Sequence, residues 1–153
     1  FMNSESFYCL TTSDANSDAY SIFKRRIEEK KWPMYWQTKF QSVIKPGDKL
    51  IFYIAGVNKF RQCFVGSAEV NSIDKISNTA ESTVDPDKTQ AQVTSYIHLN
   101  NIKLFNKEVF IKSILNNLNF IENKKNYGLY FVGGVTKIDQ ASNSFILDQS
   151  NLR

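Results

Sequence analysis

The sequence predicts an α+β fold in which a small curved sheet, closed in the manner of a barrel, carries helices at its rim. Short apolar runs bounded by turn residues indicate strands, and segments with helical periodicity lie between and after them. The chain has 153 residues, of which 42% are hydrophobic, and this suits one hydrophobic core. It shows no internal repeat and no linker-like tract. We therefore expect a single domain over residues 2–153.

The first half of the chain predicts one helix between strands. Residues 6–11 form a short apolar run that is typical of a buried strand, and a polar turn follows it. From residue 17 or 18 onward, apolar residues recur at the spacing of an amphipathic helix. This helix must end before Pro33, which cannot continue it. Residues 45–48 indicate a turn, and residues 50–55, apolar on both faces, indicate a central strand.

Two long strands joined by a polar connection are predicted in the middle of the chain. Residues 61–72 indicate a strand in which Gly66 marks a bulge or a close approach of another backbone. Residues 93–104 alternate between apolar and polar side chains, which is typical of a half-buried strand. The residues between them, 74–92, include hardly any core former, and their number favours a functional or mobile loop.

The last third of the chain predicts two helices around an aromatic segment. Apolar residues between positions 111 and 118 recur at helical spacing. Residues 127–135 are dense in aromatic residues and glycine, and a short helix should begin near Asp139.

The chain is mildly basic, with 19 Lys and Arg against 15 Asp and Glu and a net charge of +4. This balance favours an anionic partner only weakly. The basic residues form short clusters, which either cover solvated surfaces or contact the backbone of a nucleic acid. The residues that we assign to backbone contacts are Lys24, Arg25, Lys30, Lys31, Lys124 and Lys125.

The cysteines and the absence of a leader indicate an intracellular protein. Cys9 and Cys63 both lie inside apolar runs, and two cysteines without a secretory leader make no disulfide framework. No stretch approaches the roughly 20 apolar residues that a membrane span needs. We expect reduced core cysteines, a cytoplasmic location and no membrane contact.

The sequence offers little that would support catalysis. His98 is the single histidine, and the strand pattern places it on an outward face, where a solvated role is expected. A nucleophile pair of Cys9 and His98 has no motif to support it. There is no Cys-x-x-Cys motif, no pair of histidines and no dense carboxylate cluster. We therefore expect no enzymatic activity, no catalytic residues, no metal and no cofactor.

Rings and small polar residues gather instead at places where strands end. They occur at residues 11–13, 32–36 and 127–131, and at Tyr53. Such rings either fill the core or bind a planar base, which stacks on an aromatic face for roughly 1–3 kcal/mol. Trp32 lies between a charged helix end and a proline, so we expect it to face a pocket rather than the interior of the sheet.

Four segments, in order along nearly the whole chain, resemble those of a known family. They are residues 32–35 (Trp-Pro-Met-Tyr), 45–56, 64–70 (Phe-Val-Gly-Ser-Ala-Glu-Val) and 118–125. Together they resemble an EVE domain, a member of the PUA-like superfamily that is related to the YTH readers of modified bases. The resemblance implies a curved, barrel-like sheet with flanking helices and a pocket that accepts one base.

The resemblance also implies a site. In YTH readers a Trp just after the first helix forms one wall of a cage around the methylated base, and Trp32 occupies the equivalent place. Their second cage Trp lies in the loop that corresponds to residues 74–92, which contain no aromatic residue here. Either the second wall comes from elsewhere, with Tyr35, Trp36, Tyr53 and Tyr127 as candidates, or the pocket is more open. The predicted base pocket comprises Thr11, Thr12, Ser13, Trp32, Pro33, Met34, Tyr35, Tyr53, Tyr127 and Phe131.

The function implied by the resemblance is recognition of a modified, methylated base that is flipped into an aromatic pocket. The expected partner is nucleic acid carrying such a base, with DNA favoured over RNA. One setting is the recognition domain of a modification-dependent restriction system, with a motor or nuclease as partner. The alternative is a free-standing PUA-like protein that binds modified or structured RNA.

Overall fold

The computed structural model describes residues 4–58, 60–76 and 92–151. The strands are β1 (Phe7–Thr12), β2 (Lys31–Tyr35), β3 (Lys49–Ile54), β4 (Cys63–Lys75), β5 (Val93–Phe110) and β6 (Val135–Ile138). The helices are α1 (Ala19–Glu29), α2 (Ile111–Ile114) and α3 (Gln140–Ser150), with 3₁₀ turns at Leu115–Asn117 and Lys124–Phe131.

All six strands belong to one sheet in the order β2-β5-β4-β3-β1-β6. Only the pairing of β1 with β3 is parallel in the described sheet, and the other pairings are antiparallel. The edge strands β2 and β6 approach one another, because Trp32 of β2 and Val135 of β6 line the same small cavity. The sheet is therefore curled into a half-barrel, which confirms the predicted α+β fold with helices around a curved sheet.

The sheet separates two hydrophobic clusters. Because side chains alternate along a strand, Tyr8 and Leu10 of β1 enter the cluster that contains α1, whereas Cys9 enters the cluster that contains α3. The predicted central strand is confirmed, since residues 50–54 of β3 are all buried. The site described below lies at the end of β1, where this strand leaves both clusters.

The predicted first helix is confirmed at both ends. Asp18 caps its beginning and accepts a hydrogen bond from the backbone of Ser21. Lys30, with φ of 57°, turns the chain out of the helix, so the helix ends before Pro33 as expected. Pro33 then lies in β2, an edge strand, where a missing N–H is tolerated.

Gly66 lies at a close approach of two backbones, as predicted. A Cβ atom added to it would lie 2.9 Å from the carbonyl oxygen of Lys103 on β5, and the register of the β4–β5 pairing shifts beside it. β5 is longer than expected and continues to Phe110. The loop predicted over residues 74–92 begins later, because β4 extends to Lys75, and residues 77–91 lie outside the described residues.

The predicted helix over residues 111–118 is shorter than expected. Only Ile111–Ile114 is α-helical, and the next three residues, Leu115–Asn117, form a 3₁₀ turn. Asn116 and Asn117 have low helix propensity, which accounts for the early end. The final helix is confirmed, with Asp139 as its cap. Within the described ranges, none of the helices combines the length and the apolar character needed to cross a membrane.

Candidate functional site

A cavity of about 630 Å³ opens where β1 ends, and we call it the strand-end cavity. Three segments form most of its wall: Thr11 and Ser13 at the end of β1, residues 35–38 after β2, and residues 131–134 before β6. Ala55, Gln92 and Gly128 complete the lining. The cavity therefore lies where the two edges of the sheet approach one another.

Two glycines shape the wall nearest to β1. The backbone N–H of Thr11 donates to the carbonyl of Gly134 at 2.8 Å, which ties the end of β1 to the segment before β6. Gly133 and Gly134 have φ of 96° and 86°, a left-handed region that favours glycine. A Cβ atom on Gly133 would meet no atom within 4 Å. The wall here is bare backbone that a ligand can approach closely.

A tight turn after β2 forms the opposite wall. The N–H of Tyr35 donates to Thr38 Oγ1 at 2.8 Å, and the N–H of Thr38 donates to the carbonyl of Tyr35 at 2.9 Å. Gln41 Nε2 donates to the same carbonyl at 2.7 Å. These bonds fix the turn, and Trp36 at its tip keeps 74% of its surface exposed. The turn thus holds a large aromatic ring in solvent.

The strand-end cavity is neutral. Among its described lining residues there is no carboxylate, amine, guanidinium, imidazole or thiol, and the polar groups are hydroxyls, side-chain amides, the indole N–H of Trp36 and backbone. Behind the wall formed by Tyr35, Arg26 Nη2 donates to the hydroxyl of Tyr35 at 3.3 Å. Arg26 is buried, and its guanidinium lies 4.7 Å from the ring centre of Trp32.

Trp32 does not line the strand-end cavity and is buried in the core, whereas the sequence led us to expect that it faces a pocket. It is only 2% exposed and stacks on Phe52 with ring centres 5.2 Å apart. The reason is that β2 begins at Lys31, so that alternation along the strand turns Trp32 and Met34 inward. Trp32 and Pro33 line only a space of about 10 Å³ behind Tyr35.

Four other residues of the predicted base pocket lie outside the lining of the strand-end cavity. Thr12 and Met34 are buried, because each points to the opposite side of its strand from the cavity. Tyr53 is 2% exposed and belongs to the cluster beside α3. Tyr127 packs against that same cluster, and its hydroxyl donates to Gln62 Oε1 at 2.8 Å.

The structure does bring together Thr11, Ser13, Tyr35 and Phe131 of the predicted pocket. Phe131 is held in place by stacking on Tyr53, with ring centres 4.0 Å apart. Trp36 was predicted only as one of several second walls, and it is the most exposed ring of the lining. Gln37, Thr38 and Val132 carry no strong signal in the sequence, and the pair of Gly133 and Gly134 signals a turn but not its place in the site.

The predicted backbone contacts lie in two separate regions of the chain. Lys24, Arg25, Lys30 and Lys31 lie on α1 and at the start of β2, whereas Lys124 and Lys125 lie in the 3₁₀ turn before β6. Lys124 Nζ donates to the carbonyl of Leu118 at 2.7 Å, so this amine already makes a hydrogen bond within the protein. Lys31 Nζ lies 4.6 Å from the ring centre of Tyr96. Lys24, Lys30 and Lys125 are exposed.

Among the described residues, the two cysteines and the histidine do not form a reactive group with one another. Cys9 is fully buried, and desolvation raises the pKa of its thiol to about 12. The hydrogen bond with Thr11 Oγ1, 4.0 Å away, lowers this pKa and so opposes the rise only in part. Both cysteines are free and buried, as predicted. His98 is half exposed on the outward face of β5, 3.7 Å from Asp74. Within the described residues, no group of three acidic, His or Cys side chains could hold a metal ion.

Comparison with solved structures shows the same fold in distant relatives. Human THYN1 protein, solved with 5-methylcytosine-containing DNA, superposes with a TM-score of 0.57 at 12% identity, covering 97% of this chain and 99% of that one. The Pho92 YTH domain, solved with m6A, superposes with a TM-score of 0.59 at 13% identity, covering 100% and 92%. A protein of Agrobacterium tumefaciens has a TM-score of 0.56 at 17% identity, covering 96% and 94%.

The sequence comparisons place the chain in a family. Among curated protein sequences, none is significantly similar to this chain. The family model of the EVE domain matches residues 10–149, which is nearly the whole chain. This range includes the segments on which the resemblance was first based, and the structure has the curled sheet that it implied. The chain belongs to the EVE domain family.

Proposed function

We propose that this EVE domain binds one modified base of a nucleic acid in the strand-end cavity, after the nucleotide has left its stack. The observation that carries the proposal is the composition of the cavity wall. It combines aromatic rings, hydroxyls and bare glycine backbone, and no charged side chain is among its described residues. Its volume of about 630 Å³ falls in the range of sites that bind small molecules, roughly 300–1,000 Å³.

A neutral, partly aromatic wall suits a base better than a phosphate. Phosphate sites use Lys, Arg or clustered backbone amides at a helix N-terminus to match the negative charge. A nucleobase is planar and uncharged, and it gains most from stacking on a ring. A methyl group on the base adds apolar surface that the rings of Tyr35, Trp36 and Phe131 can cover.

The ring positions support this assignment. Phe131 is 5% exposed and fixed by its stack on Tyr53, so it forms a rigid inner wall. Trp36 is exposed and stands on a hydrogen-bonded turn, so it can cover the outer face of a bound base. Tyr35 lies between the strand-end cavity and the small space beside Trp32. Trp32 therefore supports the wall from behind in this arrangement.

Polar groups at the cavity are suited to hydrogen bonds with a base edge. The hydroxyls of Thr11 and Ser13 and the amide of Gln37 can each donate and accept. They lie on two different walls, because Thr11 and Ser13 end β1 whereas Gln37 belongs to the turn after β2. Such hydrogen bonds would select among bases, whereas contacts with the aromatic rings would favour a base that carries a methyl group.

The structural relatives support a base-binding role. Human THYN1 and the Pho92 YTH domain, whose structures contain 5-methylcytosine DNA and m6A, share the fold of this chain. We propose DNA as the favoured partner and RNA as the alternative, and we propose binding without catalysis. A restriction system, with a motor or nuclease acting on the bound DNA, is the setting that we propose for a DNA-binding form.

Extraction of the base must be offset by contacts elsewhere. Unstacking costs a few kcal/mol, and the exposed basic residues Lys24, Lys30 and Lys125 can contribute phosphate contacts. Such contacts release counterions, so affinity should fall as salt increases. The neutral cavity and the basic surface would thus have separate roles, one in selecting the base and the other in holding the backbone.

A binding panel tests the proposal. Oligonucleotides of one sequence are compared with and without 5-methylcytosine, 5-hydroxymethylcytosine or methylated adenine, as DNA and as RNA. Trp36→Ala should weaken binding of the preferred modified probe by about 5- to 150-fold, which corresponds to the loss of one stacking contact. Val57→Ala is the matched control, since Val57 is 72% exposed and lies outside the lining of the strand-end cavity.

Two outcomes would contradict the proposal. Equal affinity for modified and unmodified RNA would favour the alternative, in which a PUA-like protein binds structured RNA. Equal affinity of the parent and Trp36→Ala for a preferred modified probe would show that the base does not lie in the strand-end cavity.

A further inference from the structure

A second cavity, of about 430 Å³, shares Trp36 with the strand-end cavity, and we call it the flanking cavity. Trp36 and Thr38 line both cavities. The remaining wall of the flanking cavity includes Phe40, Gln41 and Lys75. Trp36, which is 74% exposed, therefore belongs to the walls of two adjacent cavities.

We propose that the flanking cavity binds the nucleotide next to the modified one, so that Trp36 lies between two successive bases. This inference rests on the proposed function, because it requires a modified base in the strand-end cavity. It extends the binding site from one nucleotide to two. It also assigns a ligand to the flanking cavity, which recognition of the modified base does not use.

The exposure of Trp36 is the first observation that supports stacking of two bases on this ring. With 74% of its surface exposed, the ring is not needed to fill the core, and its turn is fixed by the bonds between Tyr35 and Thr38. An indole has two faces, and each can stack on a base. A ring that belongs to the walls of two cavities can offer one face to each, and neighbouring bases are the planar groups that a nucleic acid supplies in succession.

The floor of the flanking cavity is rigid. Phe40 packs against the core beside Tyr8, with ring centres 5.7 Å apart. The Gln41 amide donates to the carbonyl of Tyr35, and its oxygen accepts from the hydroxyls of Thr94 and Ser95. Because this amide is already engaged, it has little capacity left for reading a base edge. The flanking cavity should accept different bases with similar affinity.

Charge distinguishes the two cavities. Lys75 contributes an exposed amine to the flanking cavity, whereas the strand-end cavity has no charged side chain among its described lining residues. A nucleotide that remains in the chain brings its phosphate close to its base, and an amine beside the stacking surface matches that phosphate. The arrangement fits a base on Trp36 with its phosphate near Lys75.

The test uses trinucleotides with 5-methylcytosine at the centre of DNA probes or N6-methyladenosine at the centre of RNA probes. Three forms of each are compared by calorimetry: the complete trinucleotide, one with an abasic 5′ residue and one with an abasic 3′ residue. One abasic form should bind about 10-fold more weakly than the complete probe, because one stacking contact is lost. Changing the base at that position should alter the affinity far less.

Two variants assign the effect to the flanking cavity. Ser42→Leu fills its lip, since Ser42 is exposed and lines it. In this variant the difference between the complete and abasic probes should vanish, while Val43→Leu, at an exposed position outside that lining, should keep it.

Lys75→Ala should lower the slope of log affinity against log salt by about one. Lys137→Ala, another exposed lysine, should leave the slope unchanged.

The outcomes separate this inference from the proposed function. If the central modification is recognised but both abasic forms bind as well as the complete probe, the flanking site is refuted and base recognition stands. If Ser42→Leu and Val43→Leu respond alike, the neighbour does not lie in the flanking cavity. If the central modification has no effect on affinity, the proposed function fails and this inference fails with it.

Discussion

Replacing Trp32 by Ala should destabilise the protein strongly, because this residue belongs to the core of the half-barrel. The indole is 2% exposed, stacks on Phe52 at 5.2 Å and lies under the Arg26 guanidinium at 4.7 Å. The substitution would remove the ring and leave a cavity beside a buried cation. Trp36→Ala removes the same side chain from a position that is 74% exposed.

The two tryptophan variants should therefore differ widely in stability. Truncation of a buried Trp to Ala costs about 3–5 kcal/mol in unfolding free energy. For a domain of this size, about 2–4 °C is lost per kcal/mol, so Tm should fall by about 6–20 °C. Trp36→Ala should stay within about 0.5 kcal/mol of the parent, as exposed substitutions usually do.

Urea unfolding followed by far-ultraviolet circular dichroism measures both values without depending on tryptophan fluorescence. The same samples are then titrated with the preferred modified oligonucleotide at a temperature where both variants are folded. If Trp32→Ala lost less than about 1 kcal/mol, or unfolded at the same midpoint as Trp36→Ala, the core assignment would be refuted. Trp32 would then have to be reconsidered as an open cage wall.

The remaining predictions concern a buried thiol and a backbone conformation. Burial raises the pKa of Cys9 from 9.0 to about 12, so the folded state keeps a proton that the unfolded state loses above pH 9.0. The unfolding free energy should therefore fall as pH rises from about 9 towards about 12. Cys9→Ala should show a shallower fall in urea titrations over that range, and equal slopes would contradict the assignment. Gly133→Ala should cost about 1–2 kcal/mol, because φ of 96° is strained for alanine although the space is open. Gly128→Ala is its control, since Gly128 lies outside the left-handed region and has open space, and thermal unfolding should show no such loss there.

Much of the fold could be predicted from local patterns. Helix α1 has a capping aspartate at its beginning and a proline that forbids its continuation, and both signals act over a few residues. The alternation in β5 likewise indicates which side chains are buried, because strand geometry has a period of two. These features depend only on residues that are close in sequence. They could therefore be predicted from the sequence, and the structure confirms them.

The candidate site was harder to predict because Trp32 and Trp36 look alike in sequence. Both are large rings near Pro33, and a ring between a charged helix end and a proline was not expected to be buried in the sheet. Only the edge position of β2 allows proline within it, and edge position depends on pairings made far along the chain. Once Lys31–Tyr35 is a strand, Trp32 must point inward, whereas Trp36 lies beyond the end of the strand.

Phe131 was assigned to the site from sequence, but the wall contributed by residues 132–134 was not. Nothing local indicates that Gly133 and Gly134 meet the end of β1. Glycine pairs are common turn signals, and the contact with Thr11 exists only because β6 pairs with β1. The family resemblance supplied the place of a pocket, but the side of each strand that faces it required the three-dimensional register.

The hydrogen bond between Thr11 and Gly134 has a consequence for the order of folding. It joins positions near opposite ends of the described chain, and the cavity wall includes both. Contacts of such long sequence separation have a high entropic cost of closure and depend on the strands between them being in place. We therefore expect the strand-end cavity to be among the last parts of the molecule to form. Ligand binding consequently reports that β6 has docked, and a chain that has folded only as far as β5 lacks the wall formed by residues 131–134.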